Sequence, residues 1–321
     1  MAALRETLLY EIVELQHLGI SDLDPLLSEE ILAWESRFAW DFRPSADLLR
    51  RFLQMHSLYG YVVRLNRQVV GYSYFVTEAR KGLIGDFYVR EEHRNSTAET
   101  SLLAAVVQGL MRTSGIRRIE SQLLLLSDGL QELPFADSLT RHDRYFMVIH
   151  REIAAKLLPT APEVHVTFVP WTDRYHEETA HLVSAAYRGH VDSDINDQYR
   201  TIPGARQFLT NIIRYPGCGQ FSPTASVVAI DDRTGRVCGV CLASLVSGQS
   251  GHVTQLCVLP ALRGARLGYE LLRQSLERLG QLGCTTTSLT VTCSNTGAIR
   301  LYESAGFRTQ DTFPALVWQG W

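Results

Sequence analysis

The run PALRGARLGYELL, residues 260–272, sets Gly264 and Gly268 on either side of Arg266, just after Pro260 and Arg263. A turn this poor in side chains, feeding an amphipathic helix, presents unpaired N–H groups and the positive end of a helix dipole. Glycines there let the oxygens of a phosphate come close, and two arginines add charge. Glycines also close turns against sheets for purely structural reasons, so the run alone leaves both readings open. In NTGAIRLYESAGF, residues 295–307, Asn295 has the position of a helix N-cap, Gly306 of a left-handed C-cap and Phe307 of its apolar contact. Tyr302 on that helix reads by default as a core aromatic. His252 titrates near neutrality; it is a candidate base or a strand-edge side chain facing solvent. His190, Asp192 and Asp194 cluster in YRGHVDSDINDQYR, residues 187–200, where acids could attract a cationic amine or simply face water.

Cysteine chemistry is the weaker possibility. Cys238 and Cys241 form a CxxC, but they sit in an apolar strand, RVCGVCLASLV, where residues three apart face opposite sides. Buried free thiols are expected, and no metal centre. Cys257 has no evident base partner and is not expected to act as a nucleophile.

The elements that must carry these residues occur twice. YGYVVRLNRQVVGYSYFV reads as a hairpin turning at Asn66 and Arg67, followed by the strand LIGDFYVREEHR, the helix NSTAETSLLAAVVQGLMRTSG and the strand IRRIESQLLLL. ASVVAIDDRTGRVCGVCLASLV, GHVTQLCVLPALRG, RLGYELLRQSLERLGQLG and TTTSLTVTC repeat that order. Gly71 and Gly239 lie 168 residues apart, and Arg94 and Arg263 lie 169 apart. Leu267, Leu271, Leu272, Leu276 and Leu279 fall on one helical stripe, made to lie on a sheet. The expectation is α/β architecture in two tandem domains, residues 1–158 and 164–321, each a mixed and mostly antiparallel sheet flanked by helices. The joint falls in KLLPTAPEV, which carries two prolines. The first copy has Asn95, Thr97 and Glu99 where the second has Gly264, Arg266 and Gly268, so the second is the better anion site.

The 321 residues are 45% hydrophobic and 20% charged, with a net charge of −3, so no overall basic field favours a nucleic-acid partner. No apolar run approaches the roughly 20 residues that cross a bilayer. Charges interrupt the apolar N-terminal stretch, unlike a secretory signal, and a cytoplasmic protein with no membrane partner is expected.

Two segments together resemble the GNAT superfamily of acyl-CoA N-acyltransferases. LCVLPALRGARLG is similar to its cofactor motif through Leu256, Val258, Pro260, Arg263, Gly264 and Gly268, departing at Arg266, where many members have a third glycine. NTGAIRLYESAGF is similar to its second signature through Asn295, Ala298, Leu301, Tyr302, Gly306 and Phe307. The resemblance covers residues 164–321, and the first half resembles a degenerate copy. It implies an N-acetyltransferase that moves an acetyl group from acetyl-CoA to a primary amine of a small molecule or peptide by direct attack. Leu256, Cys257 and Val258 would pair with the pantetheine arm; Arg263, Gly264, Ala265, Arg266, Leu267, Gly268 and Tyr269 would hold the diphosphate; Asn295 would touch the arm as well. Tyr302 would protonate the leaving thiolate. Thr290 stands where some members have a glutamate base, and His252 stands where others have theirs. His190, Asp192 and Asp194 fall in the segment that closes over the acceptor. A module that binds acyl-CoA without catalysis is the alternative.

Overall fold

The computed structural model describes residues 10–94, 97–127, 130, 132–215 and 217–321; residues 1–9 and Asn95 lie outside them. The chain folds into two compact units. One joins Met1–Ser36 and Phe42–His142 to Phe313–Trp321, and the other joins Arg37–Asp41 to Asp143–Thr312. The strand ending the first half thus passes from Asp143 onward into the second unit, and the strand ending the chain passes from Phe313 into the first.

In the first unit, β1 (Tyr10–Glu14), α1 (Ile20–Phe38) and α2 (Arg43–Gln54) precede β2 (Tyr59–Leu65), β3 (Gln68–Glu78), β4 (Lys81–Val89), α3 (Thr97–Arg112) and β5 (Arg118–Gln122). The sheet runs β1-β2-β3-β4-β5, and residues 315–319 of the chain's last strand, β13 (Arg308–Gln319), pair antiparallel with β5. The β2–β3 hairpin turns where expected, with Asn66 and Arg67 at φ of 50° and 67°, as a tight two-residue hairpin turn requires. Leu102, Leu103, Val106, Val107 and Leu110 of α3 are fully buried. The expected strand through Leu123, Leu125 and Leu126 ends at Gln122. Those leucines turn into the core instead, and Ser127 N–H donates to Glu99 Oε1 at 2.9 Å. A segment of the chain itself therefore reaches the start of α3. Elsewhere in this unit Tyr72 Oη donates to Glu30 Oε2 at 2.7 Å and lies 3.4 Å from Asp86 Oδ2. Burial pushes Asp86 up to about 6; burial, with the charge of Asp86, pushes Glu30 well above the usual carboxylate range.

The second unit contains β6 (Leu139–His150) from Asp143 onward, α4 (Arg151–Ala154), β7 (Val166–Pro170), α5 (His176–Ala186), α6 (Asp192–Ile195) and α7 (Ile202–Arg214). These are followed by β8 (Gln220–Phe221), β9 (Val227–Asp231), β10 (Val237–Leu245), β11 (Ser250–Val258), α8 (Leu267–Gln281), β12 (Thr286–Thr292) and α9 (Thr296–Ala305). The sheet order is β6-β12-β11-β10-β9-β7, with β8 on β10. Its register repeats that of the first unit. Gly71 faces Val89 as Gly239 faces Val258, and a shift at Tyr74/Phe75 recurs at Leu242/Ala243. Lys81 to Ile84 run parallel to Arg118 to Ser121, as Ser250 to Val253 run parallel to Thr286 to Leu289.

The five leucines of the α8 stripe are each at most 3% exposed against this sheet, a burial worth about 1.5–3 kcal/mol per side chain. Cys238 and Cys241 do not face opposite sides, because a register shift between Val237 and Gly239 turns both into the core beneath α8. All six cysteines are free, and burial pushes these two thiols up to about 11 and about 12. Among the described residues, no helix is long and apolar enough to cross a membrane, and no cluster of three His, Cys, Asp or Glu could hold a metal.

Candidate active site

β11 and β12 pair over only four residues each, up to Val253 and Leu289. Beyond that point a cleft of about 820 Å³ lies within the second unit. Leu256, Cys257 and Val258 line it from β11. Leu259 N–H donates to Cys238 O on β10 at 2.9 Å; by strand alternation the amide of Cys257 also faces β10, and those of Leu256 and Val258 face the cleft. Burial pushes the Cys257 thiol up to about 12, so it stays protonated at neutral pH.

The glycine turn forms the next part of the wall. Gly264 has φ +84° and Arg266 +63°, the left-handed region that a glycine occupies without strain. No side chain caps α8, and among the described residues the amides of Leu267, Gly268 and Tyr269 have no hydrogen-bond partner. A Cβ at Gly264 or Gly297 would meet nothing within 4 Å, and one at Gly268 only Leu301 Cδ2 at 3.7 Å. Protein packing does not require a glycine at 268, so the bare surface there remains available to a ligand. Gly264, Arg263, Arg266, Gly268 and Tyr269 all line the cleft. The side chains of Ala265 and Leu267 do not: Ala265 O accepts from Glu163 N–H, and the Leu267 side chain is buried beneath the turn. Arg263 Nη2 donates to Ala186 O at 2.6 Å and so caps the end of α5 while it faces the cleft. The linker is fastened over the same turn. Tyr269 Oη donates to Leu158 O, and Thr160 N–H donates to Glu270 Oε2, both at 3.1 Å.

Tyr302 on α9 belongs to the core and to the cleft wall at once, with 8% exposure and its ring 5.9 Å from Phe307. Among the described residues its hydroxyl has no hydrogen-bond partner. Burial, foremost, holds its ionisation well above the tyrosine range, so it remains a donor at neutral pH. Asn295 Oδ1 accepts the Ala298 amide at 3.2 Å as the N-cap of α9 and also lines the cleft; Gly306, at φ +99°, ends the helix.

His252 is placed elsewhere. It is 5% exposed and off the cleft wall, with Nδ1 2.9 Å from Ser288 Oγ and its ring 5.1 Å from Trp40 and 6.5 Å from Phe146. Burial first, and then Arg144, lowers it to about 4, so the ring is neutral at physiological pH.

His190 and Asp192 also line the cleft, but not Asp194, which turns outward to pair with Arg200 at 3.0 Å. Asp192 N–H donates to His190 Nδ1 at 3.1 Å, which places the proton of the neutral ring on Nε2. Thr292 Oγ1 donates to Asp192 Oδ1. Four further wall residues are not expected from the motifs. Tyr187 stacks on Tyr199 at 4.4 Å, Gln255 Nε2 donates to Tyr187 Oη, and Tyr199 Oη donates to Gln255 Oε1 at 3.4 Å. The fourth, Arg144, reaches Thr290 Oγ1 at 3.2 Å from β6.

Known acetyltransferases share sequence and fold with this chain. Residues 194–307 match the model of the acetyltransferase (GNAT) family. The mycothiol acetyltransferase of Acidimicrobium ferrooxidans is 26% identical over 276 residues, covering 82% of this chain and 83% of its own. Among solved structures, a GCN5-related N-acetyltransferase from Sphaerobacter thermophilus superposes with a TM-score of 0.67 at 17% identity, over 97% of this chain and 95% of that one. A tandem GNAT protein of the clavulanic acid pathway does so with 0.64 at 18% identity, over 97% and 98%. At these identities the solved structures establish the fold. Residues 194–307 thus match the GNAT acetyltransferase family, a family of acyl transfer, in a chain with the fold of tandem GNAT proteins.

Proposed function

We propose that the protein is an acetyl-CoA-dependent N-acetyltransferase whose site is the cleft of the second unit. The carrying observation is the uncapped turn at the start of α8, where Gly264 and Gly268 leave room that no protein atom fills. Acyl-CoA supplies the thioester whose acyl group moves to the acceptor.

The chain's own parts divide the work. The amides of Leu267, Gly268 and Tyr269, with Arg266, hold the diphosphate at the positive end of the helix. The cleft-facing amides of Leu256 and Val258 pair with an amide-bearing arm as a neighbouring strand would, and the Val258 amide can also steady developing negative charge on a carbonyl oxygen. Tyr302 holds the proton that a departing thiolate needs. An amine must shed a proton before it attacks. With His252 off the wall, Asp192 takes the part of proton acceptor and His190 that of a donor at Nε2 to the acceptor. The first unit serves as scaffold, since Glu99 and Ser127 meet at the helix start where the second unit stays bare. The relative named for mycothiol acetylation supports acyl transfer to a small molecule.

Release of free thiol from acetyl-CoA with a panel of primary amines tests this reading. Turnover is expected, with kcat falling about 10²–10⁴-fold in Tyr302→Phe, the usual contribution of a positioned acid. Tight acetyl-CoA binding with no turnover on any amine would replace it by a non-catalytic acyl-CoA sensor.

A further inference from the structure

Thr290 and Thr292 are two apart on β12, so their side chains leave the same face about 7 Å apart. Each holds a charge of opposite sign. Arg144, directly across from Thr292 in the β6–β12 pairing, reaches diagonally to Thr290 Oγ1 at 3.2 Å, and Thr292 Oγ1 donates to Asp192 Oδ1. Both charged groups line the cleft. Asp192 is the single carboxylate among the described lining residues, while cations line it also at Arg263 and Arg266, on the glycine turn. Arg144 is therefore the arginine among the described lining residues that lies off the glycine turn.

Two cleft tyrosines feel both charges. Burial is the main reason that Tyr199 and Tyr302 ionise well above the ordinary range, and for each Asp192 adds to that rise while Arg144 opposes it. Two further groups on the same wall can donate. Tyr187 Oη accepts from Gln255 and keeps its own proton to give, and His190 carries its proton on Nε2. A polyamine or plain alkylamine would offer the Arg144 guanidinium no acceptor. An α-amino acid sets an ammonium nitrogen about 2.5 Å from a carboxylate carbon, and so brings an acceptor for Arg144 and a donor for Asp192, the two charges fastened to neighbouring threonines of one strand face.

We propose that the acceptor is an amino-acid-like zwitterion, its ammonium on Asp192 and its carboxylate on Arg144. The proposal rests on the acetyltransferase reading and names its substrate class.

The test uses the full-length protein and acetyl-CoA, and compares α-amino acids, β-alanine, the matching amino acid amides and the matching alkylamines by thiol release. The best amino acid should exceed its amide in kcat/KM by about 10–150-fold, the worth of a charged hydrogen bond. That preference should disappear in Arg144→Gln and persist in part in Arg144→Lys, with the amide little affected in either. Asp192→Asn should weaken amino acid and amide alike. Melting temperatures within a few degrees of wild type would show that the variants fold. Turnover in which amides or alkylamines equal the amino acids overturns the zwitterion while leaving the acetyltransferase in place. If no amine is turned over, calorimetry of amino acids into the protein saturated with coenzyme A separates the two readings. Binding that Arg144→Gln weakens keeps the zwitterion site and removes the catalysis; no binding of any amino acid removes the site.

Discussion

Gly268→Ala separates a glycine kept for the fold from one kept for a ligand. Gly268 lies in the first turn of α8 outside the positive-φ region, so alanine can adopt its backbone without strain. The new methyl would meet only Leu301 Cδ2, at an ordinary 3.7 Å. Removing a glycine's freedom from the unfolded chain stabilises such a site by about 0.4–1 kcal/mol, a rise in melting temperature of about 1–4 °C. Were nothing to bind there, that gain would be the whole effect. If a diphosphate lies on the amides of Leu267, Gly268 and Tyr269, the methyl intrudes on it at a cost of about 1–3 kcal/mol, and coenzyme A binds about 5–150-fold more weakly. Titration calorimetry with coenzyme A, alongside a thermal melt without it, reads both numbers. A variant that binds coenzyme A as tightly as wild type refutes the assignment of this turn; one that melts well below wild type refutes the steric reasoning.

Two buried acid–base groups should bend the stability curve in opposite directions. His252, lowered to about 4 from an ordinary 6.5, contributes stability present above pH 6.5 and lost as pH falls toward 4, about 3 kcal/mol in all; His252→Gln should flatten that slope in urea melts. Asp86, raised to about 6, contributes stability present below its unfolded value of 3.8 and lost as pH rises through 6. Asp86→Asn should therefore gain stability over wild type at pH 8, relative to any difference at pH 4, and an unchanged difference would show that the pair does not hold its proton. A fragment of residues 164–321 lacks β6 and leaves β12 bare from Thr286 to Thr292. It should fail to bind coenzyme A and should self-associate on gel filtration; a monomeric fragment that binds as the full chain does would contradict this.

The repeat was legible because hydrophobic period and turn chemistry are local. The Asn66–Arg67 hairpin, the leucine stripe of α8 and the capping roles of Asn295 and Gly306 each depend on residues within a few positions of one another. The motif residues around Gly264 and Tyr302 were legible for the same reason. What escaped depends on long-range pairing. Arg144 comes from a strand at the end of the first half, and no spacing ties it to Thr290. The Tyr187–Gln255–Tyr199 bridge needs a helix end, a strand and a turn to meet. The sequence leaves His252 as a candidate base or a solvent-facing strand edge because a strand position does not tell which aromatic rings will cover it; here Trp40, from residues 37–41, does so. Cys238 was assigned to the wrong face because one extra residue in a strand, invisible in the alternation, reverses every side chain beyond it.

Amide hydrogen exchange with and without coenzyme A tests the central claim most directly. The account predicts slowed exchange at Leu256, Val258, Leu267, Gly268 and Tyr269 on binding, with the amides around Glu99 in the first unit unchanged. Protection that spares the start of α8, or that falls on the first unit instead, would contradict it.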